Sequence, residues 1–159
     1  VVGQEDLVRR LERHPLARAV RIDKLSLAAL TTTLIHYLKG EATTAIPVWR
    51  MIAASADQLK RRATRWQRAI ASPKPALSLS KGDSTIGGGS LPGETLPTWL
   101  LALNPGASGA DALAARLRQA NPPVIARIEG DRVLLDPRTV LPEEEKALVK
   151  AVREALFSI

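Results

Sequence analysis

Cysteine is absent from this chain of 159 residues, which excludes disulfides, thiolate metal sites and a cysteine nucleophile, and fits a reducing compartment. Histidine is nearly absent. His14 and His36 fall on different elements, so no metal site is expected, and neither supports nucleophilic catalysis by itself. No stretch approaches the roughly 20 apolar residues that span a bilayer. The opening VVGQEDLVRR also lacks the basic, apolar and small-residue order of a secretory signal, so a cytoplasmic protein with no membrane partner is expected. The motifs GxxxxGKS/T, HExxH and GxSxG are missing as well.

What is present is ordinary globular composition, 45% hydrophobic and 25% charged, with a net charge of +7. The charge is uneven. Residues 1–72 hold 13 Lys and Arg against 6 Asp and Glu, while residues 73–159 hold 10 against 10. A basic excess of this kind attracts polyanions by its summed field and by counterion release. Much of it lies in one helical stretch, ADQLKRRATRWQRAIA, through Lys60, Arg61, Arg62, Arg65 and Arg68. These five are candidate nucleic-acid contacts; a solvated helix face is the alternative.

Periodicity and punctuation predict alternating elements. The apolar start Val1-Val2-Gly3 reads as the end of a buried strand, and Glu5 to Arg13 as a short amphipathic helix that Pro15 ends. PLARAVRID is irregular. Asp23 then caps a long helix that runs to Gly40, with Leu27, Leu30, Leu34, Ile35 and Leu38 three to four apart, so that one side is expected to be core. Pro47 opens a short segment, and Ser55 caps the basic helix. The following ASPKPALSLSKGDS is either a linker or an edge strand over Ala76 to Ser80.

WLLALN reads as a strand, Ser108 as the cap of the helix GADALAARLRQA, and Pro122-Pro123 as its end. Val124–Ile128 and Arg132–Leu135 flank Glu129-Gly130-Asp131, a hairpin signal. The last helix, in LPEEEKALVKAVREALF, carries Glu143, Glu144 and Glu145 in its first turn, where the helix dipole favours negative charge. Strand, helix, hairpin and helix in this order predict a small α+β layer with helices on one face of a sheet.

The run IGGGSLPGETLPTW, Ile86 to Trp99, holds four glycines and two prolines. A plain turn needs one or two such residues, so the backbone here is expected to approach something closely. Together with HPLARAVRIDKLSLAAL, IPVWRMI and PPVIARIEGDRVLLDPRTVLPEEE, in that order, this run resembles the C-terminal end of the bacterial L-seryl-tRNA(Sec) selenium transferases. The resemblance covers nearly the whole chain.

It implies the small C-terminal domain of a fold-type-I pyridoxal-phosphate transferase, preceded by a long linking helix. Residues 1–23 would be the end of the large cofactor domain, 24–40 the linking helix and 41–159 the small domain, with 72–85 a linker or insertion. The implied reaction converts seryl-tRNA(Sec) to selenocysteinyl-tRNA(Sec) with selenophosphate as donor, in homo-oligomers built from dimers. The cofactor, pyridoxal 5'-phosphate, supplies the electron sink and the protein the orientation. Its covalent lysine is implied to lie upstream of Val1, so the fragment is expected to be inactive alone. Lys24, in the RxDK motif, is read as a helix-start residue.

The resemblance also implies that Arg18 and Arg21 face the active site. Their spacing of three suits a single turn, and a guanidinium grips phosphate oxygens in a bidentate fork. Gly87, Gly88, Gly89 and Ser90 resemble a loop that closes over the site, with a structural hairpin as the alternative. Arg127 stands where the wider class binds a carboxylate. The Ser-rich stretch before the loop and Pro137 in LLDPRTV depart from the pattern. Two other functions stay open: a related lyase or ammonia-lyase acting on a small phosphorylated substrate, and a non-enzymatic basic RNA-binding module.

Overall fold

Capping residues and prolines set the helices in the first of two units into which the chain divides, Val1–Ile46 and Pro47–Ile159. The computed structural model describes residues 2–70, 76–87 and 93–157. In the first unit α1 (Glu5–Glu12) has Glu5 and Asp6 in its first turn, and Arg9 pairs with Glu5 one turn away. The expected irregular stretch contains a single helical turn, α2 (Leu16–Ala19), whose Leu16 amide donates to His14 Nδ1 at 3.2 Å. Asp23 caps α3 (Lys24–Leu38), and Gly40, at φ +71°, turns the chain after it. A short α4 (Ala42–Ala45) follows.

The apolar side of α3 is not core among the described residues. Leu27, Leu30, Leu34 and Ile35 are 42 to 52% exposed and Leu38 is 88% exposed. Helical spacing puts apolar residues on one side, but burial needs a neighbour to cover that side, and none of α3 is buried here.

The α3 cap has a pH signature. Asp23 accepts from the Ser26 hydroxyl at 2.6 Å and the Ser26 amide at 2.9 Å. Those bonds, the hydroxyl first, hold its carboxyl below the usual carboxylate range. A depressed folded value means that the cap stabilises the helix start above the unfolded pKa and is lost as pH falls through the folded one. In an NMR titration the Ser26 amide shift is therefore expected to follow a midpoint below that of an unstructured aspartate. A midpoint at or above it would mean that the cap does not form.

The second unit begins with α5 (Pro47–Ala53) and α6 (Ala56–Ile70). Ser55 caps α6 in a reciprocal box: its Oγ accepts from the Gln58 amide at 3.3 Å, and its own amide donates to Gln58 Oε1 at 2.9 Å. Leu59, Ala63, Trp66 and Ile70 recur at helical spacing along the buried side of α6. The linker-or-edge segment resolves as an edge strand longer than expected, β1 (Leu77–Thr85). It pairs in continuous antiparallel register with β2 (Thr95–Leu103), from Leu77↔Leu103 to Thr85↔Thr95.

Beyond β2, α7 (Ala110–Arg118) starts at Gly109, not at the expected cap Ser108. The Ser108 hydroxyl instead donates to the Pro105 carbonyl at 2.8 Å and accepts from Arg116. β3 (Arg127–Glu129) and β4 (Arg132–Leu135) form the expected hairpin. Gly130 and Asp131 both take positive φ, +55° and +57°, as a two-residue turn of the primed type requires. A 3-10 turn (Pro137–Thr139) and a second one lead into α8 (Glu145–Phe157).

The sheet is four-stranded, in the order β1-β2-β4-β3, with every pairing antiparallel. Strand alternation puts Leu101 and Leu103 of β2, with Val133 and Leu135 of β4, on one face. There they meet Trp66 and Ile70 of α6, Leu113 and Leu117 of α7, and Leu148 and Val152 of α8 in the main core. Leu100, Ala102 and Leu134 form a smaller buried cluster on the other face. This is the expected α+β layer, helices on one side of a short sheet, with the long α3 earlier in the chain.

Candidate functional site

The two candidate arginines of the first unit differ in local setting. Arg18 is within α2, and Arg21 follows two residues after its end; both side chains are exposed. Lys24 is exposed at the first position of α3, directly after the Asp23 cap. His14 is occupied by the Leu16 amide, and His36 Nδ1 lies 3.1 Å from Glu41 Oε2. No cluster of three or more His, Cys, Asp or Glu side chains suited to a metal occurs among the described residues.

In the second unit the five basic residues of α6 separate by helical phase. Arg61, Arg65 and Arg68 recur at intervals of four and three and are exposed. Arg65 also approaches Glu145 at 3.5 Å. Arg62 turns inward with the Leu59–Trp66 side: its Nε donates to Glu145 Oε1 at 2.6 Å, Nη1 to the Pro137 carbonyl at 2.7 Å and Nη2 to the Val140 carbonyl at 2.8 Å. It binds α6 to the chain entering α8 through all three of its nitrogens. Lys60 leans over the Trp99 ring, 4.4 Å from its centroid.

The glycine run joins β1 to β2. Past the Thr85↔Thr95 pair the Ile86 amide donates to the Glu94 carbonyl at 3.4 Å, and Gly87 at φ +111° and Gly93 at φ +83° flank the connection. Gly88, Gly89 and Ser90 lie outside the described residues. Arg127, the first residue of β3, pairs with Leu134 in register and so lies on the face away from the helices. Its Nη1 donates to the Asp83 carbonyl of β1 at 3.5 Å, and its Nη2 pairs with Glu129 at 3.4 Å. The guanidinium thus reaches across β4 and β2. It passes Gly82, where an added Cβ would stand 4.0 Å from Nη2 and 2.6 Å from Leu100 Cδ1.

Sequence reasoning missed a buried charged group of the unit, Arg138, which is 6% exposed. Its Nε donates to Ser84 Oγ at 3.0 Å, and its Nη1 donates to the Met51 carbonyl at 2.7 Å and to the Ala54 carbonyl at 2.9 Å. Nη2 reaches the Pro97 carbonyl at 2.8 Å. The Ser84 hydroxyl donates to Asp136 Oδ2, while Asp136 Oδ1 accepts from Thr98 Oγ1 and from the Arg138 amide, each at 2.9 Å. Burial pushes the Arg138 guanidinium down from its usual value, and the Asp136 charge opposes that. An arginine stays protonated even so. The available signal was Asp136-Pro137, an N-cap followed by proline at the first position of a turn. Pro137 therefore fits its place: it opens that turn just past the last paired residue of β4.

Residues 1–141 match the family model described as "SelA: L-seryl-tRNA selenium transferase". The L-seryl-tRNA(Sec) selenium transferase of Carboxydothermus hydrogenoformans is 39% identical over 146 residues, covering 91% of this chain and 31% of the relative. That of Moorella thermoacetica is 41% identical over 160 residues, covering 98% and 34%. That of Geotalea uraniireducens is 44% identical over 157 residues, covering 96% and 34%. The chain spans about a third of the length of these curated relatives. With a family model matched over most of its residues and relatives of this identity along nearly its full length, the chain belongs to the L-seryl-tRNA selenium transferase family.

Proposed function

We propose that this chain is the C-terminal part of a pyridoxal-phosphate enzyme that converts seryl-tRNA(Sec) to selenocysteinyl-tRNA(Sec) with selenophosphate. Family membership along nearly the whole chain carries that reading. Lys24 is solvent-exposed at a helix start, which supports reading it as a helix-start residue and not as the cofactor's lysine. The covalent lysine belongs to the part of the protein that this chain does not include, and the fragment alone is inactive. Incubated with pyridoxal phosphate, the fragment develops no stable aldimine absorbance; a stable band that Lys24→Ala abolishes would overturn this assignment.

Within that frame Arg18 and Arg21 hold the anionic donor, and the glycine run with Arg127 lies toward the substrate. The protein is cytoplasmic and assembles from dimers. No described helix is long and apolar enough to cross a membrane.

The exposed row Arg61, Arg65 and Arg68 supplies the field for the tRNA backbone. Each neutralised phosphate contributes a slope of roughly −0.9 in log affinity against log salt on a duplex. In the full-length protein that carries this chain, Arg61→Glu with Arg65→Glu is expected to weaken tRNA binding and flatten its salt dependence. Turnover of a small serine analogue should barely change. Filter binding at several salt concentrations beside a turnover assay checks both. Unaltered tRNA affinity would make this row a solvated face only.

A further inference from the structure

Trp99 lies on the helix-covered side of β2, in phase with Leu101 and Leu103, yet it is only partly buried. Two cations from different elements meet its ring. Lys60, from the first turns of α6, places Nζ at 4.4 Å from the centroid, and Lys81, paired with Trp99 in the β1–β2 register, places Nζ at 5.8 Å. The three line an open cleft of about 890 Å³. Asp57 and Asp83 line it too, but neither forms an ion pair with either lysine among the described residues. These acids lower the field of the cleft as a whole, so an anion held there depends on direct contact with the ammonium groups at the ring.

We propose that the Trp99 cleft is a phosphate-binding subsite for the backbone of the tRNA, a proposal that rests on the aminoacyl-tRNA reading above. Two like charges held on one ring repel each other, and an anion between them removes that repulsion while using donors that no carboxylate occupies. The ring fixes where the two ammonium groups stand. It attracts a cation to its face, so Lys60 and Lys81 lose less freedom on meeting a phosphate than two unsupported lysines would. Continuity favours a polyanion over a single ion. Lys60 stands about 100° round α6 from Arg61, the first of the exposed arginines, so the cleft flanks that basic row and a nucleic-acid backbone is wide enough to touch both.

The test uses the full-length protein that carries this chain, with Lys60→Gln, Lys81→Gln and the double variant, all exposed positions whose replacement leaves the core intact. Each single variant is expected to weaken tRNA binding about threefold to tenfold and to reduce the slope of log affinity against log salt by roughly one. Trp99→Phe should keep most of the affinity and Trp99→Leu should fall toward the lysine variants. Unchanged affinity and slope in the double variant overturn the subsite. If Arg61→Glu with Arg65→Glu still weakens binding in that case, the tRNA reading stands without it. If the unaltered protein shows no salt-dependent tRNA binding, both fall together. A raised KM for selenophosphate with unchanged tRNA affinity assigns the cleft to a free phosphate and overturns the backbone assignment.

Discussion

Replacing Arg138 with alanine is expected to destabilise the second unit by about 3–5 kcal/mol, the range for removing one partner of a buried charged network. The physical reason lies in what the guanidinium leaves behind. Without it the carbonyls of Met51, Ala54 and Pro97 lose their donor, and Ser84 and Asp136 lose the positive charge beside them. A water that entered the space could serve only some of them. Domains of this kind are stable by roughly 5–15 kcal/mol in total, so the loss is a large share.

Arg138→Lys should recover little, because an ammonium is a point donor and cannot serve α5, β1 and β2 from one planar fork. Denaturant unfolding followed by tryptophan fluorescence measures the change. A loss under about 1 kcal/mol, the worth of one ordinary hydrogen bond, would show that those carbonyls are satisfied in some other way.

The second large effect is on chemistry. If Arg18 and Arg21 hold selenophosphate, Arg→Lys at either position in the full-length protein should lower selenium transfer about tenfold to a hundredfold, because a charge-assisted hydrogen bond is worth about 1.5–3 kcal/mol. Lysine keeps the charge and loses the bidentate grip. Both side chains are exposed in the described structure, so thermal stability should barely move. Steady-state assays with selenophosphate varied, run beside melting curves, separate the two. Equal activity of the lysine variants would return both arginines to the solvated surface.

Helix limits were legible where a residue's chemistry is decided locally. Asp23, Ser55 and Gly40 mark their ends without help from the rest of the chain, and Gly130-Asp131 needed only its own backbone preference to fix the β3–β4 turn. The edge strand was harder. Leu77 and Leu79 alternate with Ser78 and Ser80, enough to offer an edge strand but not to choose it over a linker until β2 lies alongside. Ser108 looked like a cap because its hydroxyl is a capping group, but Gly109 could take the positive φ of +78° that the entry to α7 uses.

The α6 arginines show the limit of reading charge as charge. Arg61 and Arg62 are adjacent and chemically identical, and only helical phase separates them: Arg62 falls three after Leu59 and four before Trp66 and is drawn inward. That phase was readable. The Arg138 network was not, because its partners come from α5, β1 and β2, and their carbonyls carry no side-chain signal. The apolar stripe of α3 makes the complementary point. Its spacing is real, while burial is a property of a neighbour.

The strand order also bears on how quickly this sheet forms. β1–β2 and β3–β4 are hairpins, each joined locally in sequence, whereas the seam between them is only three residue pairs long, Leu101↔Leu135 to Leu103↔Val133. To bring β2 against β4 the chain must first make the excursion through α7, and the entropy of closing a loop rises with its length. The hairpins reward ordering at once; the seam does so only when α7 is in place between them in sequence and α6 has supplied Trp66 and Ile70 to the same face. Folding of this unit is therefore expected to be paced by its non-local junctions, this seam among them, and not by the longest strand pair.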